Sequence, residues 1–536
     1  MYRSEESVIL TGGRLFLGRD TVAASLGMSG GRIAAIGSPQ EVRDRLGAGA
    51  LELDAGGATL APGFIDSHLH LSSLGENLSA VDLAGCPGIE QMRRRVAAGA
   101  AEAPEGAWIT GRGWDQDRFE ERRYPTAEDL DDVAPGRPVF LRRACGHAAV
   151  ANTAALRAAG IGTSATDPVG GRFERYRDGR ITGLLHERAM DAVLSVIPRP
   201  GRVQRGQHLE AGIRKCHSVG ITSVQTNEGG SDVNTLLELF RQFGDGSDLA
   251  LRAYLDLGPS ALPEIEEAGL STGCGDEFLR IGALKLFADG SLGARTALMS
   301  SDYADDPGNR GTFVLPPEEM REHIRLGRRL GMQVAIHAIG DAALDDSLEL
   351  LGSSKSPSIS DRIIHCQITR PEQFEAMYRA GIVACVQPRF VATDMAWAES
   401  RVGRERAATS YAWRSMLDAG VAVAGGSDAP VEPPDPILGI HAAVNRVDDD
   451  GRPEGGWFPH EKLSVPEAME LFSGGAARSE GTQDDKGRLE PGYLADLVLL
   501  DADPLSVDPT ELRSISVLET WVAGRRVFGD HCAASR

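Results

Sequence analysis

The hydrophobic pattern changes texture twice along the chain. Residues 7–60 are short apolar or alternating runs broken by glycine. Ser-Val-Ile-Leu precedes Thr11-Gly12-Gly13, and Arg-Leu-Phe-Leu precedes Gly18; Ala23 to Met28, Arg32 to Gly37 and Leu51 to Asp54 follow. Alternation punctuated by turn residues predicts a small antiparallel sheet. The far end reads the same way: Gly487 to Asp501 is turn then strand, and Ser516 to Trp521 and Gly524 to Phe528 surround a glycine turn. Neither end has enough strands for its own core. Residues 1–60 and 481–536 are therefore expected to pack as one β-sandwich, with 61–480 inserted between them.

The middle alternates apolar strands with helix-like stretches. The expected strands are Gly63–His68, Ile221–Thr226, Leu251–Leu257, Ile281–Phe287, Gln333–His337, Arg362–His365, Ile382–Gln387 and Val421–Gly426. Helical stretches such as Val233–Phe243, Pro317–Leu330 and Ala342–Leu351 separate them. Eight strands in strict alternation predict the α/β class and a parallel (β/α)8 TIM barrel. Residues 75–205 break the alternation and are too long for one crossover. They are expected to be an insertion after barrel strand 1, emerging at the catalytic face and covering the pocket.

Composition narrows the class. An apolar content of 42% and a net charge of −21 describe a soluble globular chain and argue against nucleic acid or an anionic membrane as partner. No apolar run is long enough for a membrane span, and the polar, acidic start is not a secretory signal. Seven dispersed cysteines without a Cys-x-x-Cys pair suggest reduced thiols and a cytoplasmic location. The expected partner is a small-molecule substrate, with homo-oligomerisation left open.

Polar residues collect at the strand ends. Ala61 to His70 reads Ala-Pro-Gly-Phe-Ile-Asp-Ser-His-Leu-His, and residues two apart on a strand share a side, so His68 and His70 face together. Strand 4 offers Lys285, strand 5 His337, strand 6 His365 and strand 8 Asp428. Several such groups converging on one barrel mouth suit one or two zinc ions or another divalent transition metal.

The order His-x-His, Lys, His, His, Asp resembles the amidohydrolase superfamily over essentially the whole chain. Gly113-Trp-Asp, Gly146-His-Ala-Ala-Val-Ala-Asn, Leu286-Phe-Ala-Asp-Gly-Ser-Leu-Gly, His337-Ala-Ile-Gly-Asp, Ser427-Asp-Ala-Pro-Val and the tail Gly492-Tyr-Leu-Ala-Asp-Leu-Val are similar to the YtcJ-like, amidohydrolase 3 subgroup. That subgroup includes N-substituted formamide deformylases. One departure is Ile364-His365, where relatives often have Glu-His; Ile364 is expected to point away from His365. The resemblance implies metal ligation by His68, His70, His337 and His365, with Asp428 as ligand, general base or both, moving a proton from water to the leaving nitrogen. The implied activity is metal-dependent hydrolysis of a C–N bond, amide or N-formyl. A ring-amidine deaminase of the same superfamily and a non-catalytic binding protein are the rivals. Lys285 is expected to be carbamylated and to bridge two metals: its neighbours are apolar, the hydantoinase-like branch has such a lysine, and the chain otherwise writes its cations almost entirely as arginine.

Weaker candidates keep two readings each. His147 reaches substrate or is a loop histidine. Asp341 contacts substrate or caps the following helix. Asp289 is a strand-end turn or a pocket residue, Glu187 is similarly open, and Trp114 is expected in the pocket wall.

Overall fold

The two ends of the chain meet in two sheets in the computed structural model, which describes residues 7–534 apart from 105, 145–147, 169, 230–231 and 353–358. One sheet has five strands, in the order Ala533–Ala534, Leu51–Asp54, Val8–Thr11, Ser25–Ser29, Arg32–Gly37. The other has six: Arg525–Phe528, Val517–Val522, Leu497–Leu500, Thr59–Pro62, Arg14–Phe16, Thr21–Ala23. Leu10, Leu26, Leu53, Leu60, Leu497 and Trp521 share one buried cluster, so residues from both ends complete a single core. The sheets are mixed rather than antiparallel. Val8–Thr11 runs parallel to Leu51–Asp54, and Arg14–Phe16 parallel to Thr59–Pro62. A helix at Pro39–Leu46 lies on the connection between Arg32–Gly37 and Leu51–Asp54. It is nucleated by a capping box: Glu41 N–H donates to Ser38 Oγ, and Ser38 N–H donates back to the Glu41 carboxylate at 2.8 Å.

The barrel strands are β1 (Phe64–Leu69), β2 (Ile221–Asn227), β3 (Arg252–Leu257), β4 (Leu279–Phe287), β5 (Val334–Ala338), β6 (Arg362–His365), β7 (Val383–Val386) and β8 (Ala422–Gly425). They form one parallel sheet of eight strands in sequence order, matching all eight expected segments. Small and branched side chains line its interior: Ile65, Ala283, Ala335, Ile364, Cys385 and Ala424 pack on Ala476 and Ala477. The β8–β1 seam is held by groups just past the strands. Asp428 N–H donates to His68 C=O at 2.7 Å, and His70 N–H to Ala429 C=O at 2.8 Å. The Asp66 carboxylate accepts from Ser427 N–H at 3.1 Å and His68 N–H at 3.1 Å. Burial pushes that carboxyl up to about 7.

A second compact unit spans Leu74–Ala211. Its sheet has six strands, Gly171–Arg175, Ile181–Glu187, Ala148–Ala151, Val139–Arg143, Ile109–Trp114 and Val81–Asp82. Adjacent residues alternate between two apolar clusters: Leu141, Val150 and Leu184 in one, Phe140, Ala149 and Leu185 in the other. The sheet therefore buries both faces. Trp114 has 0% exposure in the first cluster, and its Nε1–H donates to Leu141 C=O at 2.8 Å. The structure places it in this core rather than on a surface. Trp114→Ala is expected to cost about 3–5 kcal/mol, read as a lower melting temperature, while metal content per folded chain stays unchanged. A loss of bound metal in soluble, folded Trp114→Ala protein would contradict this.

Candidate metal centre

β1 carries two imidazoles to the barrel mouth. Its pairing with β2 slips between Val224↔Asp66 and Thr226↔Leu69, so one extra residue is accommodated around Ser67 and His68. Such a bulge re-aims a side chain at a strand end. The His68 and His70 rings are 5.3 Å apart, as their spacing predicts. The loop after β8 brings Asp428 against both. Asp428 Oδ1 lies 3.4 Å from His68 Nε2 and 3.2 Å from His70 Nε2. One ligand atom from each of the three lies within 4.8 Å of the others, the spacing of groups that share an ion.

β5 and β6 complete the imidazole cluster. The rings of His337 and His365 are 4.4 Å apart, and His365 is 5.8 Å from His68. Strand alternation alone fails at β6. Ile364 belongs to the inward-facing apolar layer, so its neighbour should face the helices. His365 reaches the interior because its backbone is left-handed, φ 79°, followed by Cys366 at φ 44°. Non-glycine residues pay for this conformation, and such strain concentrates at functional sites.

Hydrogen bonds turn the two rings in opposite senses. His337 Nε2 bonds Gly290 C=O at 3.0 Å, which leaves Nδ1 free. His365 Nδ1 bonds Gln387 Oε1 at 2.6 Å, which leaves Nε2 free. Burial, reinforced by the charge of Lys285, pushes His337 down to about 3. Burial first, then neighbouring charges, pushes His68 and His365 well below their ordinary value. All three are therefore neutral imidazoles, the form that ligates metal. Lys285 on β4 has 0% exposure; its Nζ sits 4.1 Å from the Phe287 ring centroid with no hydrogen-bond partner. Burial pushes it down to about 7.

The model of the Amidohydrolase family matches residues 51–528. This chain belongs to the amidohydrolase family. It is 35% identical to the YtcJ protein of Bacillus subtilis (strain 168) over 93% of this chain and 94% of that one. It is 29% identical to the N-substituted formamide deformylase of Arthrobacter pascens over 94% and 95% of the two chains. Among solved structures, an uncharacterized metal-dependent hydrolase from Pyrococcus furiosus superposes with a TM-score of 0.79 at 33% identity, covering 93% of this chain and all of that one. The chain is thus a hydrolase of the metal-dependent amidohydrolase superfamily.

The residues present fit a divalent ion. The donor set is imidazole and carboxylate, the His68, His337 and His365 imidazoles are neutral, and two buried polar atoms, His68 Nδ1 and Lys285 Nζ, have no protein partner. Other amidohydrolase motif residues prove to be clamps. The buried Asp289 carboxylate accepts from Leu298, Ile339 and Gly340 N–H at 2.8, 3.0 and 2.8 Å, tying the β4 loop to the β5 loop. A Cβ on Gly340 would stand 2.0 Å from Leu298 C=O, so only glycine fits there. Asp341 opens the helix Asp341–Gly352, and its carboxylate accepts from Ser300 N–H at 2.9 Å and from Arg370 Nη1 at 3.3 Å. Glu187 lies exposed at the end of Ile181–Glu187, and His147 lies outside the described residues.

Two polar groups escaped the sequence reading. Gln387 directly follows β7, at the same barrel end as the histidines, and that position was the available signal. The pair Arg362–Asp256 is fully buried inside the barrel at 2.5 Å, with Arg362 also donating to Gln225 Oε1 at 2.5 Å. Charges so deep persist only when paired.

Proposed function

We propose that this amidohydrolase cleaves a carbon–nitrogen bond of the amide or N-formyl type in a non-peptide small molecule, using one or two zinc ions. The observation that carries the reading is the convergence of four imidazoles, the Asp428 carboxylate and an unpartnered buried lysine at one barrel mouth. A divalent ion, when bound, supplies Lewis-acid polarisation of the carbonyl and lowers the pKa of water. His68, His70, His337 and His365 hold it. Asp428 takes the proton of the attacking water and delivers it to the departing nitrogen, so the amine leaves neutral. Its carboxylate has no competing cation within salt-bridge range among the described residues, beyond the two histidines. The resemblance to a deformylase of N-substituted formamides supports the N-formyl form. Six free cysteines among the described residues support a reducing, cytoplasmic setting. The test is a hydrolysis screen of zinc-reconstituted protein over N-formyl, N-acetyl and cyclic amides, with ring amidines as the deaminase control. Turnover of the amidines alone would overturn the reading.

Lys285 is assigned as a carbamate within the same reading. Its apolar surroundings favour the free amine, which attacks CO2; an N–C bond forms, one C=O π bond opens, one proton leaves, and a carbamate results whose single negative charge is shared by two oxygens. Isotopically labelled bicarbonate supplied during metal reconstitution is expected to give a carbamate carbon resonance that Lys285→Ala lacks. Active, metal-loaded wild-type protein without that resonance would refute the assignment.

A further inference from the structure

We propose that Gln387 is a positioning residue that fixes which ring nitrogen His365 offers to the metal. The inference rests on reading His365 as a ligand. Gln387 follows β7 and is 3% exposed; His365 is 4% exposed. A carboxamide has one accepting end and one donating end, and the contact at one end settles the other. Here Gln387 Nε2 donates to Cys385 C=O at 3.2 Å, and a carbonyl only accepts. The oxygen therefore faces His365 Nδ1 at 2.6 Å, and it too only accepts. Nδ1 must carry the proton. A neutral imidazole has one N–H, so the lone pair is on Nε2.

Strand geometry cannot do this job. The left-handed backbone of His365, φ 79°, brings the ring to the cluster, but no backbone conformation selects a tautomer. The rings around this imidazole are His337 at 4.4 Å, His68 at 5.8 Å and Phe390, stacked at 6.1 Å with an interplanar angle of 20°. Stacking holds the plane of the imidazole but is blind to its tautomer. Among the described residues, Gln387 alone forms a hydrogen bond to the ring. It therefore supplies the information that the plane lacks.

The experiment compares metal-stripped, full-length wild type, Gln387→Met, Gln387→Glu and a His365→Ala control. Zinc affinity is read by competition with a chromophoric chelator, and the tautomer by NMR of histidine-labelled, metal-free protein. Methionine keeps the length but removes the acceptor; glutamate keeps the acceptor and loses the donor. The expectation is a 10- to 100-fold weaker zinc affinity in Gln387→Met, the scale of losing a partner behind a ligand, and a much smaller loss in Gln387→Glu. The wild-type spectrum should show His365 protonated at Nδ1. Equal losses in both Gln387 variants would assign the residue to packing and overturn the proposal. So would a wild-type His365 protonated at Nε2, a result that does not depend on how the variants fold. Unchanged affinity in Gln387→Met with a loss in His365→Ala would refute the role of Gln387 alone. Unchanged affinity in both would refute His365 as a ligand and the proposal with it.

Discussion

Asp428→Asn is expected to lower turnover by about 10²-fold or more, the scale of a general base, while the protein stays folded and keeps its metal. Two features make asparagine the informative choice. The residue sits at φ 57°, and asparagine is among the few side chains that tolerate the left-handed region. It also holds the β8–β1 seam through its main-chain N–H to His68 C=O, which the substitution does not touch. What changes is the carboxylate beside His68 and His70, which becomes an amide with no useful proton affinity. The readouts are kcat on an amide substrate and metal content on the same preparation. Near-wild-type kcat would make Asp428 a structural residue. A parallel loss of metal would make it chiefly a ligand.

The barrel was legible because its strands are short, mainly apolar runs that alternate with helix-like stretches, and all eight appear in order. The ligand candidates were legible because histidine, lysine and aspartate at the ends of such runs are costly to bury without a purpose. What the sequence hid was conformational. His68 and His70 share a side as period two demands, yet β1 needs a bulge to aim them. His365 follows Ile364, which takes the inward position, and only a left-handed residue returns the imidazole to the cluster. No periodicity argument anticipates a positive φ at histidine. Asp289 and Asp341 show the converse case. Both lie in family motifs beside candidate ligands, but their carboxylates accept from main-chain N–H groups of neighbouring loops. The mixed terminal sheets were missed because the helix Pro39–Leu46 is short and polar, with Val42 its only buried side chain.

Removing the metal is expected to abolish activity outright, and adding zinc back to restore it. The stronger test joins this to stability. His68 is 1% exposed and its Nε2 lies 3.4 Å from Asp428 Oδ1, so a bound cation would satisfy a desolvated imidazole and a carboxylate together. A ligand that binds only the folded chain stabilises it by about 4 kcal/mol at a free concentration near 1,000 times Kd. Wild-type protein should therefore melt several degrees higher with zinc than after chelation. In His68→Ala and His337→Ala that gap should shrink or vanish, because the term lost is the binding term. The metal-free variants should melt close to metal-free wild type, since each removes a buried polar ring rather than an apolar support. Calorimetry of wild type, the two single variants and the double variant, each metal-loaded and stripped, with metal analysis alongside, separates the outcomes. Full zinc occupancy in the double variant would sink the ligand assignment. Collapse of the metal-free variants would instead mean that these histidines build the barrel, and that their place at its mouth is a matter of packing.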